Sequence, residues 1–215
     1  MIDPNFPQRL LKHVLENANR GDVDNIINVM DNYCYTVERC IAVGDKKGKI
    51  LDSCLMGTDP KIALELGTYF GYSALRIARL LGEDGTLYTV EANSAYADVA
   101  RKIIKFANLE DKIRIIVGQS SDVIPELTKK FQIFHLDFLF IDHWKSCYKP
   151  DIFMLEELGF LKDGTVILAD NTFDDECQDY VEYVRQSPKY QCTAFQEKDF
   201  YTNNDDGMEK SVFKI

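Results

Sequence analysis

The stretch Ala63-Leu64-Glu65-Leu66-Gly67-Thr68-Tyr69-Phe70-Gly71-Tyr72-Ser73 decides the reading of this chain. A short apolar run, residues 62–66, gives way to a glycine loop. The loop gives way to a helical pattern of Ala74, Leu75, Ile77, Ala78, Leu80 and Leu81. A buried strand that turns through glycines into a helix opens an α/β sheet, and such sheets bind ligands at the carboxyl ends of their strands. Gly67 and Gly71 let a ligand approach the backbone with no Cβ in the way. The spacing is G-x-x-x-G, so the tight pyrophosphate turn of G-x-G-x-x-G is missing, and no GxxxxGK[ST] loop occurs. The expected ligand is a nucleoside without phosphates. A tight strand–helix turn with no ligand is the plain alternative.

Outward from this stretch the rhythm continues. Leu87–Val90 is a second apolar run, and it ends at Glu91, about 20 residues after Gly71. That is where a carboxylate can bind the two hydroxyls of a ribose. Ile113–Val117, Leu136–Ile141 and Thr165–Ala169 read as further strands. Helical patterns lie between and after them: residues 95–106, a segment around Val123, Ile124 and Leu127, residues 153–161, and residues 175–186. Tyr190–Phe195 and Lys210–Ile215, separated by the turn Asn203-Asn204-Asp205-Asp206-Gly207, read as a β-hairpin. Before Pro60 the signal is helical: residues 7–19, a helix capped by Asp22, a weaker stretch over 34–42, and residues 46–56. Alternating strands and helices predict an α/β fold. It is a Rossmann-like, doubly wound, mostly parallel sheet with a C-terminal antiparallel β-hairpin and an N-terminal helical cap. One domain spans 1–215, with residues 1–56 as the cap over the ligand end and 60–215 as the core.

Two strand ends carry the second constellation. One reads Ile141-Asp142-His143-Trp144-Lys145, the other Ala169-Asp170-Asn171. In a doubly wound sheet both lie on the rim that holds Gly67. Two carboxylates and an amide oxygen make a hard oxygen site, which favours Mg²⁺ over zinc. Capping or turn chemistry is the alternative for each Asp alone. Lys145 is the preferred general base, because a neighbouring divalent cation favours the neutral form of a lysine. His143 is read first as a packing group or cofactor neighbour. Trp144, the only tryptophan, either covers an adenine or packs in the core.

Composition narrows the partners. The chain has 215 residues, 46% of them hydrophobic and 28% charged, and a formal net charge of −10. That balance disfavours phosphate backbones and anionic lipid. The N-terminus lacks a signal-peptide core, and no window approaches a membrane span. The expected setting is cytoplasmic, with no nucleic acid or membrane partner. The six cysteines form no CxxC pair or zinc-spaced cluster, so free thiols in a reducing compartment are expected.

These motifs together resemble the catechol O-methyltransferase family, which uses Mg²⁺ and S-adenosylmethionine. The resemblance runs from Arg9-Leu10-Leu11 through Val43-Gly44-Asp45-Lys46-Lys47-Gly48, the glycine loop, both acidic strand ends and Gly164-Thr165-Val166, to Asp206-Gly207-Met208-Glu209-Lys210. It implies that Asp142, Asp170 and Asn171 hold Mg²⁺ and that Lys145 takes the proton from the attacking hydroxyl. It also implies that Val43, Gly67, Tyr69, Tyr72 and Ser73 surround the methionine part of the cofactor, with Asp142 at that border. By the same resemblance, Glu91 would bind the ribose. Ala92, Ser120, Ser121, His143 and Trp144 would border the adenine, and Ala92 stands where the family often has methionine.

The substrate positions depart from the family pattern. Arg39 replaces a tryptophan, Asp175 a proline, and Phe200 a glutamate, with Asp199 or Glu197 as possible substitutes for the last. Lys145 and Asn171 complete the expected substrate set. The reading is Mg²⁺-dependent methyl transfer to a catechol-like vicinal diol by a monomer or weak homodimer. The polar gate suggests a substrate more polar than a simple catechol. A non-catalytic scaffold that kept the cofactor pocket is the rival. A nicotinamide-dependent dehydrogenase is disfavoured by the missing G-x-G-x-x-G.

Overall fold

A computed structural model describes residue 3, residues 5–198, residue 202 and residues 204–215. Seven strands form one sheet: β1 Ile62–Leu66, β2 Thr86–Glu91, β3 Ile113–Val117, β4 Leu136–Ile141, β5 Leu161–Asp170, β6 Tyr190–Lys198 and β7 Asp205–Phe213, in the order β3-β2-β1-β4-β5-β7-β6. β1 to β5 pair in parallel, and β7 lies antiparallel between β5 and β6. The strand order reverses between β1 and β4, which opens a crevice beyond their carboxyl ends. The expected fold class is the observed one.

Alternation along the strands separates two apolar layers. Ala63, Phe138, Phe140 and Leu168 face one layer, which also contains residues of α1 (Phe6–Asn17), α2 (Val23–Thr36), α3 (Gly44–Met56), α4 (Tyr72–Ala78) and α5 (Ser94–Phe106). Leu64, Leu66, Leu139, Ile141 and Ile167 face the other, with α6 (Ser120–Val123), α7 (Leu127–Phe131), α8 (Tyr148–Glu157) and α9 (Gln178–Gln186). Strands covered on both faces read as continuous apolar runs, which is why they were visible in the sequence. The N-terminal helices share a core with the sheet face they cover.

Local signals explain the element ends. Asp22 caps α2 by accepting from Asn25 N at 3.0 Å, and Asn93 caps α5 by accepting from Ala95 N at 2.9 Å. α8 starts earlier than its apolar pattern suggests and stops before residue 161. Gly159, at φ 74, lets its own N–H reach Glu156 O and that of Phe160 reach Leu155 O, a left-handed C-terminal motif. The expected helical signal over 34–42 fails beyond Thr36. Val37 and Glu38 both donate to Tyr33 O, and the Glu38 side chain is drawn to Arg9 Nε at 2.9 Å. The expected turn at 203–207 is also shorter. Asp205, Asp206 and Gly207 are strand residues opposite Lys198, Glu197 and Gln196.

The all-thiol expectation is corrected as well. Cys34 and Cys40 are joined, their Cα atoms 5.3 Å apart, whereas Cys54, Cys147, Cys177 and Cys192 are free. Among the described residues no helix is long and apolar enough to cross a membrane.

Candidate active site

The glycine loop is fixed by close approach. Gly67 has φ 107, and a Cβ there would stand 2.3 Å from Asp142 O. Asp142 N donates to Leu66 O at 2.9 Å, so the ends of β1 and β4 are tied at this point. Tyr69 takes the left-handed conformation at φ 48, uncommon for a non-glycine residue. Its N–H is held by Glu91 Oε2 at 2.7 Å, while Glu91 Oε1 accepts from Asn93 N at 2.8 Å. The buried Glu91 carboxylate therefore braces two loops at the cavity wall. Beneath them, Glu65 is fully buried. Burial pushes its carboxyl up to about 7, with Ser73 and Thr89 pulling the other way, and its Oε1 has no partner.

At the neighbouring strand ends, Lys145 Nζ lies 3.3 Å from Asp142 Oδ1 and donates to the Tyr148 hydroxyl at 2.9 Å. Burial pushes Asp142 up to about 6; Lys145 opposes the shift and the Asp170 charge adds to it. Asp170 is buried, and Lys47 Nζ stands 2.7 Å from its Oδ1 and 2.7 Å from Asp206 Oδ2. Burial works against the Lys47 charge, but the two carboxylates outweigh it and raise its pKa. Asn171, at φ 55, turns its Nδ2 to Asp206 Oδ2 at 3.2 Å. His143 is pinned through Nε2 to Asp151 at 2.8 Å, and its ring stacks on Tyr148. Its Nδ1 is buried without a partner.

This arrangement fits a magnesium ion. Asp170 Oδ1 meets Lys47 Nζ only as an ion pair at 2.7 Å, with no aligned hydrogen bond, and the Asn171 amide nitrogen is already engaged, which leaves the amide oxygen as the available atom. Among the described residues no three His, Cys, Asp or Glu side chains converge. Two carboxylates and an amide oxygen are too few for an all-protein cage. They suit Mg²⁺, which keeps waters or substrate oxygens in its octahedron.

One cavity of about 380 Å³ gathers most of the expected residues: Val43, Gly67, Tyr69, Tyr72, Ser73, Glu91, Ala92, Ser120, Asp142, His143, Trp144, Lys145 and Asn171 all line it. Trp144 is 75% exposed, so it is a wall residue and not a core one. Asp170 lies behind the wall, buried on Lys47. Ser121 is exposed on α6 and off the wall. Arg39 is exposed and off the wall, and its neighbours Ile41 and Ala42 line the cavity instead. Asp175 is exposed in the short turn Asp175–Cys177, whose next residue, Glu176, reaches the cavity. Phe200 and Asp199 lie outside the described residues, and Glu197 is paired with Lys46 at 3.4 Å. The lining residues that sequence reasoning missed include Tyr96, Gln119 and Cys147. No spacing marked them.

Comparison with known proteins points the same way. Residues 24–215 match a family model described as O-methyltransferase. Catechol O-methyltransferase of Bos taurus is 44% identical over 207 residues, covering 96% of this chain and 76% of the relative. Catechol O-methyltransferase B of Danio rerio is 47% identical over 207 residues, covering 96% and 78%. A solved O-methyltransferase from Bacillus cereus, in complex with SAH, has a TM-score of 0.74 over 96% of this chain and 91% of that one; at 24% identity this is a likeness of fold.

Proposed function

This chain belongs to the O-methyltransferase family, and we propose that it moves the methyl group of S-adenosylmethionine to one hydroxyl of a small vicinal diol, with Mg²⁺ required. The observation that carries the reading is the convergence on one cavity of Gly67, Glu91, Asp142, Lys145 and Asn171. The glycine loop and Glu91 are the cofactor side, and Asp142, Asp170 and Asn171 are the metal side. The named relatives support a catechol-type acceptor.

When bound, the cofactor supplies an activated methyl, and Mg²⁺ favours the ionised form of a hydroxyl beside it. This chain's residues do the rest. Lys145 Nζ receives the hydroxyl proton, and the Tyr148 hydroxyl and Asp142 hold that nitrogen in place. Glu91 accepts from ribose hydroxyls. It keeps the glycine loop closed over the cofactor through Tyr69 N. Holding acceptor and donor in line supplies much of the rate. Ile41 and Trp144, exposed at the mouth, flank the acceptor with apolar surface, while Glu176 presents a carboxylate. That carboxylate favours a substrate carrying a polar or cationic group besides its diol.

The test is transfer of labelled methyl to a catechol panel with Mg²⁺ and with EDTA. The expected result is turnover that chelator abolishes and Mg²⁺ restores. Full turnover in EDTA would remove the metal. Cofactor binding by calorimetry with no turnover of any diol would favour the scaffold reading.

A further inference from the structure

Lys47 and Asp206 belong to neither wall of the cavity, yet both touch the residues assigned to the metal. Lys47, in the first turn of α3, is buried against Asp170 and Asp206 at 2.7 Å each. Asp206, near the start of β7, accepts from Asn171 Nδ2 at 3.2 Å and from Gly207 N at 2.7 Å. Thr172 N donates to Gly207 O at 3.1 Å, so the backbone after Asn171 is tied to the same strand. β7 cannot shift away to relieve this. A Cβ at Gly207 would stand 2.1 Å from Phe195 O, so the two hairpin strands meet there at backbone distance. An ammonium and a carboxylate from two distant elements thus grip both residues of the Asp170-Asn171 pair from behind. Burying such a cluster is costly, and removing one member leaves a charge uncompensated. A plain core ion pair would need neither the contact to the Asn171 amide nor the position behind a metal ligand.

We infer that Lys47 and Asp206 are positioning residues for the divalent cation, an inference that rests on the metal-dependent reading above. Asp206 fixes the Asn171 amide with its nitrogen turned back into the protein, which leaves the oxygen for the ion. Lys47 supplies the countercharge that holds Asp170 in place before the ion arrives. The site is then preformed, and the fold does not depend on metal for its integrity.

The test uses the full chain and Mn²⁺ as the probe, with free Mn²⁺ followed by electron paramagnetic resonance. Asp206→Asn is expected to bind Mn²⁺ about 10–100-fold more weakly than wild type, the range for outer-shell partners of a metal ligand. Lys47→Gln is expected to melt below wild type in EDTA and to recover part of the loss in excess Mg²⁺, because the ion takes over the missing charge. A purely structural lysine would lower the melting temperature equally in both media. Unchanged Mn²⁺ affinity in Asp206→Asn, or a Lys47→Gln deficit that ignores Mg²⁺, would overturn the positioning role. If Asp206→Asn does not fold, the two-medium comparison of Lys47→Gln decides alone. Wild-type protein that binds no Mn²⁺ overturns the metal reading itself, and that outcome is seen before any substitution is made.

Discussion

The floor of the cavity and its mouth are built by different means. On the floor, Gly67, Glu91 and Asp142, with Asp170 just behind them, stand at or just past the ends of β1, β2, β4 and β5. Their relative heights follow from sheet register: Leu66 sits opposite both Val90 and Ile141, and Ile141 opposite Ala169. The mouth comes from segments outside the strands and α-helices, around 41–43, 144 and 171–176, with Ile41 60% and Trp144 75% exposed. Changing a floor residue disturbs groups locked by backbone hydrogen bonds. Changing a mouth residue alters what the solvent-facing wall presents. Chemistry is therefore expected to reside in the floor and selectivity in the mouth.

The sharpest way to break that division is Lys145→Met. The floor reading expects kcat to fall about 10²–10⁴-fold, the usual contribution of a general base. Cofactor affinity, measured by calorimetry, should change little, since Lys145 is assigned no cofactor contact and Gly67 and Glu91 stand on other strand ends. A variant that retains most of its turnover would move the base elsewhere. Gly67→Ala comes next. It places a Cβ 2.3 Å from Asp142 O at a backbone φ of 107, so strain of about 1–3 kcal/mol is expected. Because that strain separates β1 from β4, both the melting temperature and cofactor affinity should drop. A loss of stability with affinity intact would mean that the loop does not shape the cofactor side.

Glu65 sharpens the comparison through pH. Its carboxyl is raised to about 7 by burial, so between its ordinary range near 4.5 and that value the folded protein holds a proton that the unfolded chain has released. Stability must therefore fall as pH rises through this window, by at most about 1.4 kcal/mol per pH unit from this group. Glu65→Gln cannot release the proton and should flatten that part of the curve, read from urea midpoints between pH 5 and 7. An identical slope in the variant would show that Glu65 is ionised throughout.

The same floor–mouth contrast explains what the sequence disclosed. Register fixes strand ends, and buried parallel strands announce themselves as apolar runs, so Glu91, Asp142 and Asp170 could be placed from their position after such runs. Lys47 stood in a recognised motif, but its partners Asp170 and Asp206 are 123 and 159 residues away, and no local spacing encodes that pairing. The Cys34–Cys40 bridge was hidden for a related reason. It depends on α2 ending at Thr36 so that the chain folds back, whereas the residues between them carry a weak helical pattern. At the mouth the side chains that line the cavity are neighbours of the ones the sequence singled out. Arg39 is off the wall where Ile41 lines it, and Asp175 is off it where Glu176 lines it, because the phase of a short turn is set by packing.

Glu176 provides the smallest and most discriminating test of the mouth. It is exposed, and an exposed ion pair is worth about 0.2–1 kcal/mol. Glu176→Gln should then reduce the ratio of kcat/KM for a cationic diol over a neutral catechol by about 1.5–5-fold, as measured in competition at low salt. Salt should erase the wild-type preference, since a charge in contact with solvent is screened over about 10 Å at 0.1 M. If the ratio survives both the substitution and the salt, the selectivity does not come from a carboxylate at the mouth. The apolar flank of Ile41 and Trp144 then becomes the feature that chooses the substrate.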